Sequence, residues 1–255
     1  SGGSNTGGSA GSGAVAGDGG GSGCAGTSGD CDANLDNGCE TDLTASSEHC
    51  GACRHACLGK PCNAGFCEPI VLATAQDQGY SIAVDGSALF WTRETGSVLA
   101  ASTDGAQPSV LASGKSFAEL GIDGGAIYWV NYAEGALRRM DKKGVGQVVL
   151  LGGMTDPVDL FVDPTGVFVS DAKGGQIRFV MKDGTNPQLV AGSLAAPRGL
   201  AADATHVYFT ASDGAVRRVA RGGGTPELVA SVASGFYGRA LLLDPTHVYW
   251  RVGRT

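Results

Sequence analysis

One aspartate recurs at near-constant spacing through the larger, C-terminal part of the chain. Asp85, Asp123, Asp163, Asp203 and Asp244 are separated by 38, 40, 40 and 41 residues. A unit of about 40 residues is too small to bury a core alone and must stack on its neighbours; this period is typical of four-stranded propeller blades. Four residues after each aspartate stands an aliphatic residue (Leu89, Ile127, Val167, Val207, Val248), followed by an aromatic one (Phe90, Tyr128, Phe168, Tyr208, Tyr249) and then Trp91, Trp129, Val169, Phe209 or Trp250. Such β-branched and aromatic runs read as buried strands. Each unit continues with a glycine turn (Gly96, Gly135, Gly175, Gly214), a third strand starting near Val98, Leu137, Ile177 or Val216, and a fourth over 109–112, 147–150, 188–191 or 227–230. Small and aliphatic residues just before each aspartate, such as Ile82-Ala-Val and Leu200-Ala-Ala, suit inner strands crowded around an axis.

Composition closes off other folds. Forty-three glycines, nine prolines and 17% charged residues disfavour long helices, and no Gly-X-Y period supports collagen. No 10- to 15-residue amphipathic segment separates the strands, which removes α/β alternatives. A formal charge of −7 argues against nucleic acid or anionic lipid as a partner, and no apolar run reaches the ~20 residues of a membrane span. The expected architecture is all-β: a β-propeller over residues 69–255, six-bladed when complete and truncated here, after a small disulfide-rich module over 24–68 and a Gly/Ser-rich linker over 1–23. Residues 69–73 (Pro-Ile-Val-Leu-Ala) match the fourth strand of the later units and are expected to complete the last blade by pairing with C-terminal residues.

All eight cysteines, Cys24, Cys31, Cys39, Cys50, Cys53, Cys57, Cys62 and Cys67, fall in the small module. Too few apolar side chains surround them to build a core, so four disulfides are expected, in an oxidising, extracytoplasmic compartment. Their connectivity is open, since eight cysteines allow 105 pairings. Zinc is the competing reading, from Cys50-Gly-Ala-Cys53 with His49, His55, Cys57 and Cys62 nearby. A thiol-exchange role for that motif lacks the strand and helix N-terminus it needs. Calcium is the one cofactor left open: Asp30, Asp32, Asn34, Asp36, Asn37 and Asp42 offer oxygens, although Leu35 and Thr41 break the EF-hand pattern and turn-capping explains the run.

The words Asn37-Gly-Cys-Glu40 and Cys50-Gly-Ala-Cys53 resemble a cysteine-rich segment of predicted myxobacterial surface proteins, over residues 31–67. The Gly/Ser start resembles the spacer after the lipidated cysteine of bacterial surface lipoproteins, that cysteine being expected upstream of residue 1. In the repeats, Phe90-Trp-Thr92, Tyr128-Trp-Val130, Tyr208-Phe-Thr210 and Tyr249-Trp-Arg251 resemble the YWTD and NHL-type propeller repeats. The motif's final aspartate is replaced by Arg93, Asn131, Ala211 and Val252, with an acid only at Asp171, so roles tied to that aspartate do not transfer. These resemblances imply an exported propeller, secreted or held at the outer cell surface, in a group that includes binding modules, lactone hydrolases and lyases.

Loops joining second to third strands and loops leading into inner strands share one propeller face, the default binding surface. Tyr80, Phe117, Glu119, Asp159, Arg198, Tyr237 and Arg239 precede or open inner strands, and Tyr132 lies in a neighbouring loop. Aromatics mixed with both charge signs suit a protein or polysaccharide of the cell envelope, bound by a monomer. The enzyme alternative rests on Glu119 and Asp159 as an acid/base or metal-binding pair, with Arg198 and Arg239 orienting an anion. No catalytic residue is assigned. The repeated aspartates are expected to cap turns, Arg138, Arg178 and Arg217 to form surface salt bridges, and His206 and His247 to pack.

Overall fold

The computed structural model describes residues 24, 26–32, 34, 36–69, 71–74, 76, 78–86, 88–103, 107–231 and 236–254, without the side chains of 236–239, 252 and 254. The linker expected over 1–23 lies outside the described residues. The chain divides into two compact units, residues 1–71 and 72–255.

The larger unit is a β-propeller of five sheets in series. The first blade runs Gly79–Asp85, Ala88–Arg93, Ser97–Ser102 and Ser109–Ser113, each strand antiparallel to the one before. The second comprises Phe117–Ile122, Ala126–Asn131, Ala136–Asp141 and Val148–Leu151; the third Pro157–Val162, Gly166–Asp171, Gln176–Met181 and Gln188–Ala191. The fourth comprises Leu200–Ala202, His206–Thr210, Ala215–Ala220 and Glu227–Ser231, and the fifth sheet holds Phe236–Leu243 and Val248–Arg254.

Alternation along the second strands makes the core. In Ala126–Asn131, Ile127 and Trp129 pack with Phe90 and Val98 of the first blade, while Tyr128 and Val130 pack with Leu160, Val167 and Val169 of the third. Phe168 packs with Val207 and Phe209, and Tyr208 with Leu241 and Trp250, so each of these four hydrophobic clusters straddles a blade interface. A strand buried on both faces must be apolar throughout, which explains the unbroken aliphatic-aromatic runs. Each such side chain contributes about 1.5–3 kcal/mol by burial.

The recurring aspartates close the turn between first and second strands. The Asp203 carboxylate accepts the Thr205 and His206 amides at 2.7 Å, the Thr205 hydroxyl at 2.8 Å and the Tyr208 hydroxyl at 2.9 Å. Asp244 repeats the set, and Asp123 and Asp163 most of it. His206 and His247 sit in these turns against Tyr208 and Tyr249. The aspartates do more than cap. Three of them are also met by a cation from the following blade: Lys142 reaches Asp85, Lys182 reaches Asp123 at 2.7 Å, and Arg221 reaches Asp163. Of the arginine column, Arg138 and Arg217 pair with Glu134 and Asp213, each at 2.6 Å, whereas Arg178 donates to the Gly152 carbonyl at 3.0 Å instead of forming a salt bridge.

The closing strand expected over 69–73 does not form: Pro69 and residues 71–73 carry no strand. A fourth strand pairs with a third, and the fifth sheet has only first and second strands, so this segment has no partner there. Ala73 packs instead beside Trp91 and Leu99.

In the smaller unit all eight cysteines are oxidised, as Cys24–Cys39, Cys31–Cys53, Cys50–Cys62 and Cys57–Cys67. No thiolate remains for zinc or thiol exchange. Cys50, Cys57 and Cys62 form the unit's buried core, in place of the aliphatic residues it lacks.

Candidate functional site

Inner strands place one equivalent residue per blade four positions before the repeated aspartate: Ser81, Glu119, Asp159, Gly199 and Ala240. A β-bulge falls at or beside this point in four of the five inner strands, between Gly79 and Ser81, opposite Trp129–Asn131, between Pro157 and Asp159, and between Arg239 and Leu241. Bulges re-aim side chains where a ladder must open. Here they turn Tyr80, Val158 and Ala240 toward a central cavity of about 790 Å³. Glu119, Asp159, Arg198 and Arg251 supply its charged lining. A second cleft of about 260 Å³ lies beside it, lined by Glu94, Phe117, Tyr132, Asp156 and Pro157, and shares Tyr80 and Val158 with the first.

The two cavity acids are held between blades. The Ser81 hydroxyl donates to Glu119 Oε1, and Ser81 Oγ accepts the Leu120 amide at 3.2 Å. Asp159 Oδ1 accepts the Leu160 amide at 2.8 Å, and its Oδ2 accepts the Leu200 amide of the next blade at 2.7 Å. Burial pushes the Glu119 carboxyl above the usual carboxylate range. Asp159 is pushed well above it, by burial first and by the Glu119 charge second. Amide hydrogen bonds oppose the shift without cancelling it. The pair therefore keeps its protons to higher pH than ordinary carboxylates, and in the protonated form donates as well as accepts hydrogen bonds.

The structure thus gathers Tyr80, Glu119, Asp159 and Arg198 around one cavity, and Tyr80, Phe117 and Tyr132 around the adjoining cleft. Tyr80 and Tyr132 are 48% and 43% exposed, while Phe117 is buried against Trp129 at 6.0 Å between ring centroids. Tyr237 and Arg239 belong to the inner strand of the fifth sheet, but their side chains lie outside the described residues. Asp171, the one acid at the final motif position, is 3% exposed and anchors the loop before the third inner strand by accepting the Thr155 and Asp156 amides. Sequence reasoning missed Arg251 and Asp156. The signal for Arg251 was a break in the repeat: the equivalent Thr92, Val130, Ser170 and Thr210 are fully buried, whereas Arg251 is exposed.

No protein-family model and no curated protein sequence matches the chain. Among solved structures it is similar to a chain of a nidogen/laminin complex, with a TM-score of 0.59 and 20% identity over 68% of this chain and 71% of that one. It is also similar to a catalytically inactive virginiamycin B lyase of Staphylococcus aureus solved with quinupristin, with a TM-score of 0.55, 20% identity and coverage of 64% of this chain and 60% of that one. A gluconolactonase of Xanthomonas campestris is a third, with a TM-score of 0.53, 20% identity and coverage of 64% and 65%. The chain spans less than two thirds of the lyase and of the lactonase. At this identity the likeness carries the fold, and the fold it carries is the β-propeller.

Proposed function

We propose that the protein is an exported binding module, tethered at the outer cell surface, whose propeller recognises a protein or polysaccharide of the cell envelope. The observation that carries the reading is the joined pair of concavities, which presents exposed tyrosines, four carboxyls and two arginines along one path. A site of that width and mixed polarity suits an extended polar chain: hydroxyls or amides to Glu119 and Asp159, a sugar ring or cationic side chain against Tyr80 and Tyr132. Four disulfides support the oxidising compartment that export supplies. Among the described residues no helix is long and apolar enough to cross a membrane. Tethering through a lipid upstream of residue 1 is the mode we favour, from the likeness of the Gly/Ser-rich start to a lipoprotein spacer. The resemblance of residues 31–67 to myxobacterial surface proteins points the same way.

A second reading is favoured by the placement of Glu119 and Asp159 in the lining of one cavity, where burial raises both carboxyls and would let one act as acid and the other as base in a lactone hydrolase or lyase. Arrays of envelope polysaccharides and of peptides, probed with the oxidised protein and with a Glu119→Gln/Asp159→Asn/Arg198→Ala variant, decide between them. Retention of a defined ligand by the native protein alone supports binding. Turnover of a lactone without retention of any ligand would overturn it.

A further inference from the structure

The small unit carries a second site, independent of the propeller. Its first hairpin pairs Ser28 with Asp42 and Gly29 with Thr41. Continuing that register sets Asp30 directly opposite Glu40, and cross-strand partners project to the same side of a ladder. The disulfides Cys31–Cys53 and Cys24–Cys39, next in sequence to these two residues, fix both strands. Oxygens of Asp30, Asp32 and Glu40 consequently all lie within 4.8 Å of one another. Like charges directly opposite are destabilising, and among the described residues none of the three is paired with a basic side chain.

Asp30 is the decisive member. It is 6% exposed, and among the described residues its Oδ1 has no hydrogen-bond partner. A buried carboxylate oxygen without a partner is costly unless an ion completes it. Its neighbours are already oriented: Asp32 accepts the Asn34 amide at 2.8 Å and the Asn37 side-chain amide at 3.1 Å, and Glu40 Oε1 accepts the Thr41 hydroxyl at 3.1 Å. Glu40 Oε1 also accepts the Cys31 amide at 3.3 Å, so Glu40 offers its Oε2 to a ligand, while each Asp32 oxygen keeps a further lone pair.

We propose that Asp30, Asp32 and Glu40 form a calcium site. Donor oxygens at about 2.4 Å from a common ion are at most about 4.8 Å apart, so the observed cluster is compact enough to share one. The donor set is all hard oxygen, which disfavours soft transition metals, and a loose hairpin mouth suits the adaptable coordination of calcium better than the octahedron magnesium demands. Backbone carbonyls and water complete the shell. The EF-hand spacing fails because the ligands converge across a hairpin and not around a loop; Asn34 and Asp42, which the linear pattern offers, instead bind the Asp36 and Thr44 amides.

The test is calorimetric titration of calcium chloride into the full-length oxidised protein after chelator treatment. One saturable site is expected, with a dissociation constant on the order of 10⁻⁴ to 10⁻³ M, as in extracellular calcium modules. Magnesium should bind more weakly. Asp30→Asn should weaken calcium binding about tenfold or more; Asp32→Asn and Glu40→Gln, both at exposed positions, give the same readout should Asp30→Asn leave reactive thiols. Absence of saturable binding, retention of native affinity in Asp32→Asn and Glu40→Gln, or loss of binding in Glu119→Gln/Asp159→Asn instead would each overturn the assignment.

Discussion

Replacing Arg221 by methionine should destabilise the propeller by about 3 kcal/mol. The Arg221 guanidinium meets the Asp163 carboxylate, whose side chain is only 9% exposed. It also donates to the Asp203 carbonyl at 3.0 Å and lies over the Phe168 ring at 4.9 Å. A pair so placed falls between an exposed salt bridge, worth about 0–1 kcal/mol, and a buried one, whose breakage costs about 3–5 kcal/mol. Taking about 2 kcal/mol for it and about 1 kcal/mol for the hydrogen bond gives the total. Methionine keeps an unbranched apolar side chain at the position but forfeits the guanidinium's contact with the Phe168 ring, which adds to the loss. The assay is urea unfolding followed by tryptophan fluorescence, which reports the propeller alone because Trp91, Trp129 and Trp250 all lie in it. The midpoint should fall by about 1 M at unchanged slope. A double-mutant cycle with Asp163→Asn should give a coupling energy of about 1.5–2 kcal/mol. Coupling within about 0.5 kcal/mol of zero would refute the idea that these cross-blade pairs clamp the ring. The more exposed pairs, Lys182 with Asp123 and Lys142 with Asp85, should cost progressively less.

Acid should act on stability in two opposed stages. Glu119 and Asp159 are raised in the folded state, so lowering pH from neutrality toward about 4 protonates them in the native protein first and stabilises it. Asp203 is lowered to about 2 chiefly by amide and hydroxyl hydrogen bonds that outweigh its burial, and Asp163 is also lowered, so their contribution, full above about 4, is lost as pH falls through their folded values. Urea midpoints measured from pH 8 to pH 2 should therefore pass through a maximum on the acid side of neutrality; a monotonic decline contradicts the buried pair. Asp159→Asn should raise the midpoint at pH 8 and flatten the first stage. Gly135 has φ of +62°, and a Cβ there would lie 2.0 Å from the Met154 carbonyl oxygen, so Gly135→Ala should cost about 2 kcal/mol or more, whereas Gly152→Ala, whose Cβ would make only an ordinary contact with Val149 at 3.9 Å, should be near neutral by the same assay. Alkylation of the native protein followed by intact mass should label no cysteine.

Much of the fold was legible because the blade is a local unit. Spacing of the aspartates, the aliphatic-aromatic second strands and the glycine turns all reside within about 40 residues, and the structure places strands there. What was not legible is non-local. Residues 69–73 have the local pattern of a fourth strand, but a strand exists only where a partner does. The cations at Lys142, Lys182 and Arg221 repeat 57, 59 and 58 residues after their aspartates, a periodicity that crosses unit boundaries and was overlooked. Disulfide connectivity needed coordinates, since chain spacing alone does not rank the pairings. At the site, Glu119 and Asp159 were visible as acids in a repeat column of small residues, while the bulges that open the cavity around them depend on register and left no mark in composition.

Hydrogen-exchange mass spectrometry of the oxidised protein, alone and saturated with the polysaccharide or peptide selected on the arrays, tests the binding claim most directly. The account predicts slowed exchange at residues 79–81, 117–120, 157–160 and 198–200, and loss of that protection in the Glu119→Gln/Asp159→Asn/Arg198→Ala variant. Protection confined to the outer strands 109–113, 148–151, 188–191 and 227–231 would place the ligand elsewhere and contradict it.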